Sequence, residues 1–341
     1  MSRKPVVLIT GAGGEIGHGL IQKLQLMGRP MITLDLVPIA GDLAGLVRQH
    51  YTGSILDKQI LDRILTEYEI DLIFHLAAVL STRGEFAPII AHQVNVEGTL
   101  NMLEFAQHQG ESHGRSVTFL YPSSIAVYGF ANLQEKNRAG KVCEDLYNHP
   151  ITMYGCNKLY GEQLGNYYCN YYKQLAALES SMRVDFRGLR FPGLISAQTL
   201  PSGGTSDYAP EMIHAAAMGK SYDCFVRDNS KIPFMAMPDA IDSLLQLASV
   251  PRKDLSRVVY NVGAFAPSVE QMKKLIFEEF PLAQIGTKID EKRQRIIDSW
   301  PEDVDDSAAR NDWGHAPRYD LNSAFRDYLF PKIKEQYHGT K

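Results

Sequence analysis

The opening of this chain constrains its fold more than any other stretch. Pro5-Val6-Val7-Leu8-Ile9-Thr10 is a short apolar, β-rich run, the composition of a strand covered on both faces. It passes directly into Gly11-Ala12-Gly13-Gly14-Glu15-Ile16-Gly17, and then into residues 18–27, where Leu20, Ile21, Leu24 and Leu26 are spaced as an amphipathic helix. A lone glycine triplet says little, because turns need glycine anyway. Wedged between a buried strand and a helix, the triplet Gly11, Gly14 and Gly17 makes a turn in which backbone N–H groups and the positive end of the helix dipole face a pyrophosphate. Glu15 and Ile16, opening the helix, belong to the same candidate contact. The expected class is α/β, with a doubly wound parallel sheet.

Residues 31–78 fit a dinucleotide. The second strand, Met31-Ile32-Thr33-Leu34-Asp35, ends on an acid 18 residues after Gly17. A carboxylate there can bind the adenosine ribose hydroxyls and would repel a 2′-phosphate, so it selects NAD over NADP, and no arginine comes after it. The plainer alternative is that Asp35 caps a loop. Leu36 beside it, with Ser54 and Ile55 at the end of a third strand over Tyr51-Thr52-Gly53-Ser54-Ile55, extends the candidate cofactor surface past the adenine. Residues 57–68 read as the next helix. Asp71-Leu72-Ile73-Phe74-His75 then reads as a fourth strand ending in Leu76-Ala77-Ala78, small residues that let a cofactor approach the backbone. His75, inside an apolar strand, reads as a core histidine with satisfied nitrogens rather than a base. Residues 86–110 read as one long helix containing Asn95. Val117-Thr118-Phe119-Leu120-Tyr121 reads as a fifth strand, leading into Pro122-Ser123-Ser124.

Tyr154-Gly155-Cys156-Asn157-Lys158 is where chemistry can be run. Residues at i and i+4 share a helix face, so the Tyr154 phenol and the Lys158 ammonium point into the same space. A cation beside a phenol favours the phenolate, bringing tyrosine toward the range in which it takes a proton from an alcohol. Taken alone, the pair is also what chance would supply in a chain of this length.

These residues carry a resemblance. The glycines at 11, 14 and 17, the acid at 35, Leu76-Ala77-Ala78, Ser123-Ser124 and Tyr154 to Lys158 come in the order and spacing of the extended short-chain dehydrogenase/reductases. The resemblance implies a Rossmann-like fold with bound NAD and a triad of Ser124, Tyr154 and Lys158, Ser123 being the neighbouring alternative serine. It also implies that Lys158 holds the nicotinamide ribose, and that Asn95, Ser123, Tyr154 and Leu194 border the cofactor. Further on, Phe191-Pro192-Gly193-Leu194-Ile195 and Pro201 to Ala209, with Leu80-Ser81, Phe234 to Ala240, Ser299-Trp300-Pro301 and Asp305-Asp306-Ser307, are similar to the short-chain type of L-threonine 3-dehydrogenase. In that family the substrate would be bordered by Ser81, Ser124, Tyr154, Gly204, Thr205, Ser206 and Trp300, with Trp300 closing over it. A free amino acid has a carboxylate that needs donors, and the Gly204 to Ser206 loop offers backbone and hydroxyl donors. Two departures stand out. Ser206 replaces the family's second threonine, keeping the hydroxyl and losing a methyl, and residues 174–182 make a longer connection, expected on the surface.

The expected architecture is an NAD-binding domain over 1–190, to which 230–262 return, and a smaller interleaved substrate lobe from 191–229 and 263–341. The superfamily resemblance implies a homodimer through the Tyr154 helix and the 86–110 helix. A net charge of -4 gives no reason to expect nucleic acid or an anionic membrane as partner, and no apolar run approaches the roughly 18 residues of a membrane helix. Cys143, Cys156, Cys169 and Cys224 show no metal or disulfide spacing and read as reduced thiols, Cys156 as a small packing residue, with no metal site expected. A strand by Pro5 leaves no room for a signal peptide in the chain as given, so the expected address is the cytoplasm. Two other readings compete with threonine oxidation. One is an NAD-dependent nucleotide-sugar epimerase or dehydratase using the same triad. The other is a catalytically silent NAD-binding relative.

Overall fold

The structure is a computed structural model describing residues 5–39, 41–176, 182–201 and 203–338. These fall into two compact units. The first is built from the chain up to Ser123, Cys156–Leu189 and Leu244–Tyr260; the second from Ser124–Gly155, Arg190–Ser243 and the chain from Asn261 onward.

The first unit carries a seven-stranded parallel sheet. Its order is Val259–Asn261, Val184–Phe191, Val117–Ser124, Ile70–His75, Val6–Thr10, Met31–Asp35, Gln49–Thr52. The opening strand is buried at every position, as its unbroken apolar run requires. Val6, Leu8, Ile32, Leu34, Ile73 and Phe119 pack with Met102, Leu103 and Phe105 of the Gly98–His113 helix and with Tyr168 of the Met153–Asn170 helix in one core. Each such side chain contributes about 1.5–3 kcal/mol by leaving water, so this face alone commits the sheet's register. Strand order reverses between Val6–Thr10 and Ile70–His75, where Thr10 is aligned with His75. In doubly wound sheets ligands bind beyond the strand ends at such a reversal.

Element boundaries depart from expectation where local stereochemistry intervenes. The third strand stops at Thr52, leaving Ser54 and Ile55 in the turn beyond it, where the Ser54 hydroxyl accepts from the Leu56 N–H at 3.1 Å. The helix expected over 86–110 is interrupted. Ala87 is driven out of helical geometry, with φ -138° and ψ 65°, by the proline immediately after it. A π-helical turn, Gln93–Glu97, then precedes Gly98–His113. The first helix begins earlier than expected, at Glu15, and the Tyr154 helix ends at Asn170. Of the expected surface connection 174–182, residues 177–181 lie outside the described residues, and Leu175 is fully exposed. Cys156 is exposed, not packed as expected, because it falls on the outer face of its helix; all four cysteines are free.

In the second unit, short parallel pairs join Gly193–Ile195 to Phe234–Ala236, Tyr222–Cys224 to Ile285–Thr287, and Lys141–Val142 to Asp303–Val304. A buried polar cluster joins segments distant in sequence. Arg190 donates to the Tyr128 hydroxyl and to the Glu144 carbonyl, both at 2.9 Å, Tyr128 donates to Asn261 Oδ1 at 2.7 Å, and the Asn261 N–H donates to Glu144 Oε1 at 2.9 Å. Such networks specify one arrangement when each member is satisfied. Among the described residues no helix is long and apolar enough to cross a membrane.

Candidate active site

At the sheet's reversal point, glycine is required by geometry. Gly11 has φ +68°, and a Cβ there would lie 2.5 Å from the Ala77 nitrogen. A Cβ on Gly17 would meet the Ala12 carbonyl oxygen at 2.3 Å. The first glycine therefore lets the loop pass over the Leu76-Ala77-Ala78 strand end, and the third lets the helix start against the loop. Gly14 is the helix N-cap with no side-chain cap, so the first turn, with Glu15 and Ile16, presents backbone donors and the positive dipole end. Asp35 is partly buried, accepting from the Gly13 N–H at 2.8 Å and the Val37 N–H at 3.2 Å. It thus shapes the glycine loop as well as being the candidate acid for a ribose. Leu36 is largely exposed, and Ile55 is buried. Small backbone, N-terminal donors and an acid in this order fit a dinucleotide.

A hydrogen-bonded relay fixes the strand end beneath. Thr99 donates its hydroxyl proton to the Asn95 carbonyl at 2.7 Å, so it accepts from His75 Nε2 at 3.1 Å. His75 Nδ1 consequently accepts from Thr10 at 2.8 Å. Asn95, in the π-helical turn, clamps Val79 on both sides, accepting its N–H at 2.7 Å and donating to its carbonyl at 3.0 Å, and donates to Asn157 Oδ1 at 3.3 Å. Asn95 thereby positions the loop leading to Ser81, which opens the short helix Ser81–Phe86.

His75 is a structural residue, pushed down to about 3 by burial first and by the Lys158 charge second. Because its folded pKa lies below the unfolded one, near 6.5, the unfolded chain binds the extra proton below that pH. Stability should fall as pH drops from about 6.5 toward 3, by up to about 1.4 kcal/mol per pH unit from this group. Urea unfolding at pH 5 and pH 7 should show a flatter pH dependence for His75→Gln; an equally steep dependence in that variant would exclude His75 as the source.

The candidate proton-transfer residues occupy the end of the fifth strand and the start of the Met153–Asn170 helix. Ser124 Oγ accepts the Ala126 N–H at 3.1 Å and hydrogen-bonds Tyr154. The partly buried Tyr154 is pushed up to about 12 by burial, with the Ser124 bond acting the other way. Gly155 permits this helix start, since a Cβ there would lie 2.1 Å from the Ala126 carbonyl oxygen. Lys158, four residues on, is 4% exposed and pushed down to about 7 by burial, with Glu162 opposing that shift. Its Nζ lies 4.6 Å from the Tyr121 ring centroid. Strand alternation turns the neighbouring Ser123 the other way, and its hydroxyl donates to Glu162 Oε1 at 2.5 Å. Of the two serines, Ser124 is the one bonded to Tyr154.

In the second unit, Gly204, Thr205 and Ser206 form a turn closed by Asp207. The Gly204 N–H donates to Asp207 Oδ2 at 2.7 Å, and the Asp207 N–H returns to the Gly204 carbonyl at 3.2 Å. Thr205 is buried and Ser206 partly so. Arg293 donates to the Gly203 carbonyl at 3.1 Å. Leu194 is half-buried in its strand, and Trp300 is buried as the C-cap of the Glu291–Ser299 helix. Sequence reasoning missed Glu162, Asn157, Thr99 and Asp207. Glu162 carried a usable signal, because it repeats the Tyr154 to Lys158 spacing by one more helical turn. The Thr99 and Asn157 partners come from other elements and carried none.

Comparison with known proteins agrees with this geometry. The model of the NAD dependent epimerase/dehydratase family matches residues 7–263. The mitochondrial L-threonine 3-dehydrogenase of Bos taurus is 32% identical over 336 residues, covering 98% of this chain and 83% of the bovine one. The X-ray structure of L-threonine dehydrogenase from Clostridium difficile superposes with a TM-score of 0.85 at 33% identity, over 98% of this chain and 99% of that one. A monomeric L-threonine 3-dehydrogenase from a metagenome gives 0.85 at 32% identity, over 98% and 100%. With the glycine cradle, the acid at 35 and these relatives together, the chain belongs to the NAD dependent epimerase/dehydratase family and is an oxidoreductase that uses NAD.

Proposed function

We propose that this enzyme oxidises the 3-hydroxyl of L-threonine to 2-amino-3-oxobutanoate, with Ser124, Tyr154 and Lys158 as the reacting set. The observation that carries the reading is the Ser124–Tyr154 hydrogen bond at the end of the fifth strand, on a helix that places Lys158 one turn further. Tyr154 takes the hydroxyl proton as the C3 hydrogen departs with its electron pair. NAD, when bound, is the acceptor of that hydride. Ser124 orients the reacting oxygen and donates to it. Lys158 favours the phenolate, which matters because burial alone holds the phenol protonated far above neutral pH. The proton ends on Tyr154, so oxidation should accelerate as pH rises.

Threonine as substrate draws support from the relatives' names and from the loop chemistry. Thr205 and Ser206 offer hydroxyls for a carboxylate, and Ser81 and Trp300 take the remaining substrate contacts by the same family reasoning. NADH absorbance monitored with L-threonine, D-threonine, L-serine and UDP-sugars tests it. Reduction with L-threonine alone is expected; silence with every amino acid, or turnover of a UDP-sugar, overturns the substrate and favours the nucleotide-sugar reading. A homodimer belongs to the same proposal, since Phe86, Ile89, Ile90 and Tyr160 leave apolar surface exposed on the helices the superfamily pairs. Light scattering should give twice the 38.2 kDa chain mass, and a single-chain mass would align this protein with its monomeric relative instead.

A further inference from the structure

We propose that Glu162 is a positioning residue of this reaction, holding Ser123 in place and supplying the negative charge that keeps Lys158 an ammonium in a dry site. The inference rests on the Tyr154 and Lys158 assignment above. Glu162 is 1% exposed, and a carboxylate is rarely buried that deeply without a partner. It accepts the Ser123 hydroxyl at 2.5 Å, which fixes its carboxylate against the strand end beside Ser124. It stands one helical turn beyond Lys158 and two beyond Tyr154, so all three share a helix face.

Two groups that face Lys158 from other elements, Tyr121 and His75, carry no negative charge. Tyr121, from the fifth strand, presents its ring face to Nζ. His75, from the fourth, is buried and held neutral by desolvation. On its own helix Lys158 has the Tyr154 phenol on one side and Glu162 on the other, and Glu162 is the acid among these four groups. Without it, the desolvation of Lys158 would lose the acid that opposes it, and a neutral lysine would no longer favour the Tyr154 phenolate.

Glu162→Gln tests this, because the amide oxygen can still accept from Ser123 while the charge is gone. The pH at which NAD reduction with L-threonine rises should move upward by roughly one unit, with kcat at neutral pH falling about tenfold and recovering at high pH. KM for threonine should stay within about twofold, and Glu162→Asp should restore most of the rate at neutral pH. A readout without substrate or NAD is the ultraviolet titration of tyrosinate, taken as the difference between the protein and its Tyr154→Phe variant. That midpoint should move upward in Glu162→Gln by a similar amount. Unmoved profiles in a folded Glu162→Gln protein would overturn the proposal while leaving the Tyr154 assignment intact. A Tyr154→Phe protein that kept its activity would instead overturn the assignment beneath it. Should Glu162→Gln fail to fold, Ser123→Ala serves, since a buried carboxylate stripped of its hydroxyl donor is driven toward its neutral form and the profile should again move upward; an unshifted profile there overturns the proposal.

Discussion

Tyr154→Phe should yield a folded protein that binds NAD and reduces it with L-threonine about 10²- to 10⁴-fold more slowly, the range that proton transfer by a positioned side chain contributes. The substitution removes one oxygen and keeps the ring, and Tyr154 is only partly buried, so little packing is lost. Ser124 remains, still holding the Ala126 N–H. The lost rate is therefore that of the base itself. Steady-state kinetics with threonine, beside a fluorescence titration with NADH, checks it. Should the variant retain most of its rate, another group takes the proton. The cofactor titration separates that result from a simple loss of binding.

Gly11→Ala should damage both stability and cofactor binding. A residue with a Cβ pays roughly 1–2 kcal/mol to hold the left-handed conformation found there. Its methyl would meet the Ala77 backbone at 2.5 Å, where no flexible side chain can give way, adding roughly 1–3 kcal/mol of overpacking. Together these reach several kcal/mol, a large fraction of what holds an ordinary domain folded. The urea midpoint should fall, and NAD should no longer raise the melting temperature. A variant that melted with the parent and bound NAD equally well would show that the loop does not need glycine for either reason.

The sheet was legible because its signals are local. An unbroken apolar run, a glycine turn and a helix succeed one another in sequence, and each names its own backbone requirement. The family resemblance reached the same parallel sheet. The interrupted 86–110 helix was less legible, although Pro88 marks the break. The π-helical turn at Gln93–Glu97 is tied to Asn95 clamping Val79, a tertiary contact that no periodicity encodes. Likewise, the resemblance favours Ser124 and leaves Ser123 beside it as the alternative. The pleat of the strand separates them, sending one hydroxyl to Glu162 and leaving the other bonded to Tyr154. His75 reads in sequence as a satisfied core histidine, and its two threonine partners bear that out.

Asp35 braces the glycine loop from within the protein, because its carboxylate takes the Gly13 N–H. The loop therefore has less freedom to lose on association, which lowers the entropic cost of binding. The carboxylate keeps acceptor sites to spare, since each of its oxygens takes a single backbone N–H and carries room for a second donor. An Asp35 substitution should therefore disturb the shape of the glycine loop as well as the proposed choice between NAD and a 2′-phosphorylated cofactor.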